Sequence, residues 1–321
     1  MSGDWRPTAP AAALRARAAM LAGAREFFGE RGVLEVDTPI LGAGGTTDPQ
    51  IDSLSTRIRG FAAPFYLGTS PEFAMKRLIA AGSGDIYQIC KVFRDDEHGR
   101  WHNPEFTMIE WYRLGYDDAA LMGEVEEIVA RMLAPHRRLA AAERLGYAAA
   151  IHRHAGVDAD RADLEALRGA AAANGVHCDA ELDRDGALDL LMGLVVGPRL
   201  GRDRPTFICD YPASQASLAR LKPGNPPVAA RFEFYLDGIE LANGFHELSN
   251  AAEQRARFEA DLATRRARGR ELPALDERLI AALAAGLPDC AGVALGFDRL
   301  AAIAVGAGGL AGAMAFPIDR A

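Results

Sequence analysis

Apolar residues follow helical spacing in several segments of the chain. Leu14, Ala18 and Leu21 recur every three or four positions, and Gly32 follows where a glycine commonly ends a helix. Farther along, Ser70-Pro71-Glu72 places a capping hydroxyl, a proline and an acidic residue in the order that starts a helix. The pattern predicts helices over residues 11–31, from Ser70 onward, and over 117–133, 161–173, 251–268 and 298–305. The helix 251–268 is dense in Arg and Glu and is therefore predicted to face solvent.

Shorter segments of alternating or β-branched residues lie between these helices and predict strands. Asp237-Gly238 joins residues 230–236 to 238–241 as a two-residue hairpin turn, and a charged loop, Arg94–Glu105, joins 85–93 to 106–112. The sequence lacks the glycine-rich phosphate loops of Rossmann and P-loop folds. Hairpins with helices between them predict an α+β fold with a mostly antiparallel sheet flanked by helices.

Composition narrows the class of protein. The chain has 321 residues, 49% of them hydrophobic, and 36 Lys+Arg against 44 Asp+Glu give a net charge of −8. This balance is typical of a folded protein without a general attraction to nucleic acid. Arg15 and Arg17 interrupt the alanine-rich N-terminus, so no export signal is expected. Leu300–Ile318 is uncharged but rich in Ala and Gly, which predicts a buried helix and a loop, and a cytoplasmic protein without a membrane span.

Polar residues that could carry chemistry concentrate in the hairpin Lys91–Arg113. An arginine that leaves a buried strand, as Arg94 does, can clamp a phosphate with two hydrogen bonds. Phe106, on the returning strand, offers a ring on which a base can stack. A solvated loop without function explains the same residues, and the pattern alone leaves both interpretations open.

Two further segments combine glycines with charges. Glu240 and Glu247 are predicted to lie on either side of a Gly244 turn in an apolar stretch, where paired carboxylates suit Mg²⁺ together with substrate phosphates. Salt bridges to nearby arginines are the alternative. In GVALGFDRL, Gly292–Leu300, small residues clear one strand face for a flat ligand, with Arg299 at the start of the next helix. Ordinary strand-to-helix packing is the alternative there.

Together these segments resemble the three motifs of the class II aminoacyl-tRNA synthetase core. The order is a helix, a strand and Pro39, then FRDD and HNPEF, then GVALGFDR. TSPEF, HNPEFTMIEWY and ELANGFHEL are similar to the lysyl-tRNA synthetase branch. ASQASLA, RWHN and PDCAGVALG are similar to the family of ligases that join (R)-β-lysine to elongation factor P, which share Ala294 where the synthetases have glycine. The resemblance covers most of the chain.

The resemblance implies a single class II catalytic domain over residues 1–321. About 24 residues precede the match, too few to encode the N-terminal OB anticodon-binding domain of a lysyl-tRNA synthetase. Stable tRNA binding is therefore not expected. A homodimer is expected, because motif 1 forms the dimer interface in this class.

The resemblance also implies a reaction, in which ATP activates (R)-β-lysine as an adenylate that then acylates a lysine of elongation factor P. Arg94 is expected to contact the α-phosphate, and Phe106 and Arg299 to sandwich adenine. The expected catalytic residues are Arg94, Glu240, Glu247 and Arg299, with Mg²⁺ held by Glu240 and Glu247. Further ATP contacts are expected from Asp95, Asp96, His102, Asn103, Leu241 and Gly296. The amino acid is expected to contact Ser70, Pro71, Glu72, Tyr112, Glu247 and Ala294.

One position departs from the synthetase pattern. Asp96 stands where a synthetase has glutamate, so that either the hairpin closes slightly or Glu97 substitutes. Two other functions remain open from the sequence. The chain could activate α-lysine for a tRNA or small-molecule acceptor, or it could be a synthetase-like regulator without catalysis.

Overall fold

The computed structural model describes residues 5–95 and 97–321. Asp96 lies outside the described residues. The helices are α1 (Ala11–Gly29), α2 (Glu72–Ala80), α3 (Asp118–Leu133), α4 (Tyr147–Ala155), α5 (Leu164–Ala173), α6 (Arg184–Leu191), α7 (Ala251–Ala267), α8 (Glu277–Gly286) and α9 (Phe297–Ala304). The strands are β1 (Leu34–Glu35), β2 (Leu41–Gly42), β3 (Ser55–Thr56), β4 (Phe65–Leu67), β5 (Ile86–Phe93), β6 (Glu105–Leu114), β7 (Glu143–Gly146), β8 (Thr206–Pro212), β9 (Leu221–Lys222), β10 (Val228–Leu236), β11 (Ile239–His246) and β12 (Cys290–Gly296).

A large, mostly antiparallel sheet organises the fold. Its strands follow the order β1-β5-β6-β12-β11-β10-β8-β7, with β9 beside β10. Within the described residues, β1 pairs with β5 and β7 with β8 in parallel, and the other pairs of this sheet are antiparallel. A small second sheet has the order β2-β4-β3. The predicted α+β class with an antiparallel sheet and flanking helices is confirmed.

Alternation along the central strands separates a core face from a cavity face. On β6, Ile109 and Trp111 join the core beneath α1, α3 and α9, whereas Glu110 and Tyr112 line a cavity on the opposite face. Successive side chains of a strand point to opposite sides, so one apolar-polar alternation produces both surfaces. The sheet is therefore the platform of the functional site.

The hairpin between β10 and β11 confirms one prediction and corrects another. Asp237 and Gly238 have positive φ angles of 56° and 77°, as a tight two-residue hairpin turn requires. Gly244, in contrast, lies in the middle of β11 and makes no turn. A Cβ at Gly244 would lie 2.4 Å from the Phe232 ring, so the glycine serves close packing against β10.

An irregularity in β11 places Glu240 on the cavity face. Phe234 pairs with Ala242 but Tyr235 pairs with Glu240, which leaves Leu241 as an extra residue on β11. A bulge of this kind changes the direction of the neighbouring side chains. Glu240 consequently lines the same cavity as Asn243, although the two are three positions apart and would face opposite sides of a regular strand.

Helix α7 is less solvated than its composition predicts. Arg265 is 2% exposed and donates to the backbone oxygens of Asp48, Ile51 and Glu271, and to the Asp52 carboxylate at 2.6 Å. The many Arg and Glu residues of α7 predict a solvated helix. One of the arginines, Arg265, is instead buried because it binds the loop opposite the helix. Arg265 thereby fixes the loop that covers one side of the cavity.

The uncharged stretch from Leu300 to Ile318 forms the predicted buried helix followed by a loop. It begins in α9 and continues through turns and short 3-10 segments. Within residues 5–95 and 97–321, the helices lack the combined length and apolarity that crossing a bilayer requires.

Candidate active site

A cavity of about 1260 Å³ opens on the polar face of the sheet. Strands β6, β10, β11 and β12 form its floor, and the segment 39–53, α7 and the N-terminal part of α6 form its walls. Pockets that bind one small molecule commonly measure about 300–1000 Å³. This cavity is large enough for two substrates together.

Glu110 is a buried carboxylate at one end of the cavity. The Ser70 hydroxyl donates to one of its oxygens and the Tyr112 hydroxyl to the other, each at 2.7 Å. Burial raises the pKa of Glu110 to about 8, and the charge of Glu72 adds to this effect. Burial and Glu110 likewise raise the pKa of Tyr112. An ammonium group placed here would stabilise the carboxylate form.

Lys76 connects two more carboxylates at the same end. Its ammonium lies 2.6 Å from Glu72 and 2.6 Å from Glu247, and it is 1% exposed. Burial alone would lower the pKa of Lys76, but Glu247 and Glu72 raise it above its ordinary value, so the ammonium stays charged. Burial raises the pKa of Glu247 to about 7, with Glu72 adding to the effect and Lys76 opposing it.

The charges at this end do not balance. Three carboxylates, Glu72, Glu110 and Glu247, face the single ammonium of Lys76. Buried charges are costly without partners, so a ligand with two positive groups fits the deficit. The glycine at 292 makes room, because a Cβ there would lie 2.2 Å from the Tyr112 ring and 2.5 Å from a Glu247 oxygen. Ala294 pairs in register with Glu110 and also lines the cavity.

Arg94 lies where β5 leaves the sheet. Its backbone N–H donates to Pro104 across the hairpin at 2.9 Å, and its guanidinium lies 3.3 Å from the Glu97 carboxylate. The guanidinium carbon is 5.2 Å from the centre of the Phe106 ring. The buried Nε of Arg94 has no hydrogen-bond partner among the described residues. Glu97 therefore binds this arginine, and the free Nε is available to an anion.

Arg299 joins the hairpin to β11. It donates to the backbone oxygens of Trp101 and Glu240, each at 3.0 Å. A Cβ at Gly296 would lie 3.6 Å from the oxygen of Leu241 and 3.8 Å from Arg299. The structure thus brings together Gly296, Leu241, Glu240 and Arg299, four of the predicted ATP residues.

The other predicted ATP residues of the hairpin differ in their pKa shifts and hydrogen bonds. Burial lowers the pKa of His102, and the positive charge of Arg299 adds to this, which favours neutral imidazole. Asn103 is buried and its amide is occupied, donating to Glu105 at 2.6 Å and accepting from Ile318 at 2.9 Å. Asp95 donates its backbone N–H to Asp52. The ATP contact predicted for Asp96 lies outside the described residues.

The predicted shared magnesium site of Glu240 and Glu247 requires correction. They stand seven positions apart, Glu240 on β11 and Glu247 just after its end, which is about 23 Å along a chain that rises roughly 3.3 Å per residue. Glu247 is instead paired with Lys76. The neighbouring carboxylate of Glu240 is Glu233 on β10: burial raises the pKa of Glu240 to about 7, and Glu233 is the next largest cause.

The Glu233–Glu240 pair fits a divalent cation that is also bound by substrate phosphates. Two protein carboxylates and phosphate oxygens are a common ligand set of Mg²⁺. Arg231 lies 2.7 Å from Glu233 and compensates part of the charge. The described residues contain no group of three or more His, Cys, Asp or Glu side chains placed to hold a metal without such a substrate.

Three site residues escaped the sequence reasoning: Lys76, Glu110 and Glu233. Each lies in a mostly apolar strand or helix, and each has a partner on another element: Glu247 for Lys76, Ser70 for Glu110 and Glu240 for Glu233. A detectable signal existed for Glu110, since it occupies the cavity-facing phase of β6 between Met108 and Tyr112. Lys76 also follows Glu72 at the i,i+4 spacing of a helix.

Comparison with known proteins shows the family of the chain. The family of class II tRNA synthetases (D, K and N) matches residues 3–320. Elongation factor P–(R)-β-lysine ligase of Klebsiella pneumoniae (strain 342) is 49% identical over 326 residues, covering 100% of this chain and 99% of that protein. The protein of the same name from Vibrio cholerae serotype O1 is 48% identical with the same coverage. The chain belongs to the elongation factor P–(R)-β-lysine ligase family of class II tRNA synthetases.

Proposed function

We propose that the protein is an ATP-dependent ligase that activates (R)-β-lysine and transfers it to a lysine side chain of elongation factor P. The observation that carries this proposal is one cavity lined both by uncompensated carboxylates and by the guanidinium of Arg94, with Arg299 bound to the backbone of the lining residue Glu240. The carboxylates match the two ammonium groups of the amino acid, and the arginines match the phosphates of ATP. The names of the relatives supply the acceptor and the β-isomer.

In the first step, a carboxylate oxygen of the amino acid attacks the α-phosphorus of ATP. A new O–P bond forms, the bond to the bridging oxygen breaks, and pyrophosphate leaves with its electron pair. Arg94, whose Nε has no hydrogen-bond partner in residues 5–95 and 97–321, stabilises the charge that develops on the α-phosphate. The stacking of ATP between Phe106 and Arg299 and the binding of ammonium groups by Glu72, Glu110 and Glu247 hold both reactants in place.

Mg²⁺ would be held by Glu233 and Glu240 and would neutralise phosphate charge when bound. In the second step the neutral acceptor amine attacks the carbonyl carbon of the adenylate. The C–N bond forms, the bond from that carbon to the phosphate oxygen breaks, AMP leaves, and the amine proton passes to solvent. Proximity of the two substrates supplies much of the rate.

The decisive experiment measures the two steps separately. Exchange of labelled pyrophosphate into ATP should depend on (R)-β-lysine, and purified elongation factor P should gain the mass of one β-lysyl residue on one lysine. A clear preference for α-lysine in exchange would replace the proposed substrate. Exchange without any protein adduct would remove elongation factor P as acceptor, and no exchange with any amino acid would favour a non-catalytic regulator.

Three further features belong to this proposal. The protein acts as one catalytic domain over residues 1–321, as a homodimer, and in the cytoplasm. The ordered pairing of strands from β1 to β7 in one sheet supports the single domain. The exposed motif 1 strand, β1, at the end of that sheet supports the dimer.

A further inference from the structure

Four aspartates line a part of the cavity that the proposed mechanism does not use. Asp48 lies in the segment 39–53, Asp185 and Asp189 lie on α6, and Asp261 lies on α7. We call these four residues the acidic lobe. They come from three separate elements, so the fold rather than a local charge run brings them to one surface.

Each carboxylate of the lobe accepts a hydrogen bond from a neutral group. The donors are the Gln50 backbone N–H to Asp48 at 2.7 Å, the Ser214 hydroxyl to Asp185 at 2.8 Å, the Gln215 amide to Asp189 at 2.9 Å, and the Thr47 hydroxyl to Asp261 at 3.0 Å. None of the four forms an ion pair with a described residue. Nearby cations act on the lobe only at longer range: the charge of Arg231 opposes the burial that raises the pKa of Asp189, and those of Arg257 and Arg265 oppose the burial that raises the pKa of Asp261.

The arginines around the lobe are committed elsewhere. Arg231 binds Glu233 and the Gln215 backbone, Arg265 binds Asp52 and three backbone oxygens, and Arg268 lies 4.0 Å from Asp183. Loss of surrounding water raises the pKa of Asp189 and of Asp261 to about 6 each, and Asp48 is one of the neighbours that adds to both shifts. A cation in the lobe would relieve this mutual repulsion.

A second observation points to a ligand on the same surface. Gln254 lies two helical turns before Asp261 on α7 and lines the same cavity. Its side chain is 1% exposed, and neither atom of its amide has a hydrogen-bond partner among the described residues. A buried amide without partners costs about 1–3 kcal/mol unless a ligand pairs with it.

A metal ion does not fit these residues, because the described part of the chain contains no group of three or more carboxylate, His or Cys side chains placed to bind one. A long flexible cation satisfies dispersed carboxylates better than a compact ion does. On the basis of the proposed function, we propose that the acidic lobe receives the positively charged, lysine-bearing segment of the acceptor protein and guides its amine to the adenylate, with Gln254 pairing with the backbone of that segment.

The test separates acceptor binding from adenylate formation. Asp261→Asn and the double variant Asp189→Asn/Asp261→Asn keep side-chain shape and remove charge, and Glu259→Gln removes an exposed charge of α7 outside the lobe. Three rates are measured with (R)-β-lysine: pyrophosphate exchange, capture of the adenylate by hydroxylamine, and transfer to elongation factor P. Hydroxylamine is small and uncharged, so its reaction does not need an acidic lobe.

The expected result is a KM for elongation factor P about fivefold higher in Asp261→Asn and about 25-fold higher in the double variant, as the loss of ~1 kcal/mol per charge gives. Exchange and hydroxylamine capture should remain unchanged, as should every rate of Glu259→Gln. An unchanged KM for the acceptor would overturn the inference, and so would a parallel loss of all three rates. Failure of the wild-type protein to exchange pyrophosphate would instead reject the proposed function itself.

Discussion

Arg94 is held by few contacts, so its removal should separate catalysis from stability. The guanidinium is a quarter exposed, and its ion pair with Glu97 at 3.3 Å is of the weak surface type. Arg94→Ala should lower the rate of pyrophosphate exchange by about 100-fold or more, the usual cost of losing one group that stabilises transition-state charge. Its free energy of unfolding should change by less than ~1 kcal/mol.

Arg161→Ala is the matched control for Arg94→Ala, since Arg161 is 89% exposed and does not line the cavity. The exchange rate of this control should equal that of the wild type. A large fall in the thermal midpoint of Arg94→Ala, matching its loss of exchange, would show that Arg94 acts through the fold rather than at the phosphate.

The free energy of unfolding of the unliganded protein should fall as pH rises, because Glu110 loses its proton. Its pKa is about 8 in the folded protein, against an ordinary value of 4.5 in the unfolded chain. Between these values the folded state binds more protons than the unfolded state, so the free energy of unfolding falls as pH increases. Urea unfolding at a series of pH values from 5 to 8.5 measures this slope.

The slope is assigned by comparing Glu110→Gln with Glu105→Gln, a half-exposed position on the same strand. Glu110→Gln should flatten the fall in stability between pH 5 and 8.5, and Glu105→Gln should leave it unchanged. Identical slopes for all three proteins would mean that Glu110 is not the group that gains a proton on folding.

The sequence correctly predicted the contacts of a side chain where that side chain acts within its own helix or strand. The Ser70 hydroxyl accepts from the N–H of Glu72, as the helix-start pattern predicts. The sequence did not predict the roles of Glu110, Lys76 and Glu233, because these roles depend on partners in other strands or helices. A buried charge in an apolar segment indicates that a partner exists, but only the fold identifies which residue it is.

At the scale of elements, Gly292 on β12 determines the shape of the end of the cavity that is proposed to bind the amino acid. Gly292→Ala places a methyl within 2.5 Å of Tyr112 and Glu247, so that these side chains must shift from the positions they hold at the cavity. We expect a KM for the amino acid at least tenfold higher and a destabilisation of about 1–3 kcal/mol from overpacking. Pyrophosphate exchange at varied amino-acid concentration and urea unfolding measure the two effects.

Gly123→Ala is the control for this substitution. Gly123 lies inside α3 with nothing within 4 Å of a new Cβ, so alanine should stabilise the helix by up to ~1 kcal/mol and leave the KM unchanged. If Gly292→Ala kept the wild-type KM, the close approach of β12 to Tyr112 and Glu247 would not define the pocket.

Helix α7 holds the segment 48–52 through one buried arginine. Arg265→Ala breaks the ion pair with Asp52 and three hydrogen bonds to backbone oxygens, and should destabilise the protein by about 3 kcal/mol. Arg266→Ala, at the exposed neighbouring position, should change stability by less than ~0.5 kcal/mol. Chemical unfolding of both variants is the measurement, and equal stabilities would remove the role assigned to Arg265.

The elements show why some of the fold could be predicted and some could not. Asp237-Gly238 specifies its turn locally, because its positive φ angles favour this residue pair. Gly244 has the same local freedom but is used for the approach of Phe232, a contact with another strand. The sequence alone does not distinguish a glycine that turns the chain from one that admits a neighbour.

At the scale of the whole molecule, one sheet sets the positions of both reactants. Glu110 on β6 and Glu240 on β11 face the same cavity because β12 keeps Asn243 in phase with Glu110, and the irregularity at Leu241 turns Glu240 to that same side. The net charge of −8 excludes a general affinity for nucleic acid and is partly concentrated in the acidic lobe. The charge distribution thus favours a cationic segment over a polyanion at the acidic lobe.

The end of the sheet predicts the state of assembly. Strand β1 pairs with β5 on one side and forms the sheet's terminal strand, and its Leu34 is 54% exposed. An exposed apolar residue on an edge strand favours pairing with a second chain. Sedimentation should therefore give a mass twice the 34.3 kDa of one chain. Leu34→Lys should shift it toward 34.3 kDa, whereas Leu194→Lys, at a site 59% exposed on another face, should not. A wild-type protein that sediments as a single chain at micromolar concentration would contradict the dimer and leave the edge of β1 exposed to solvent.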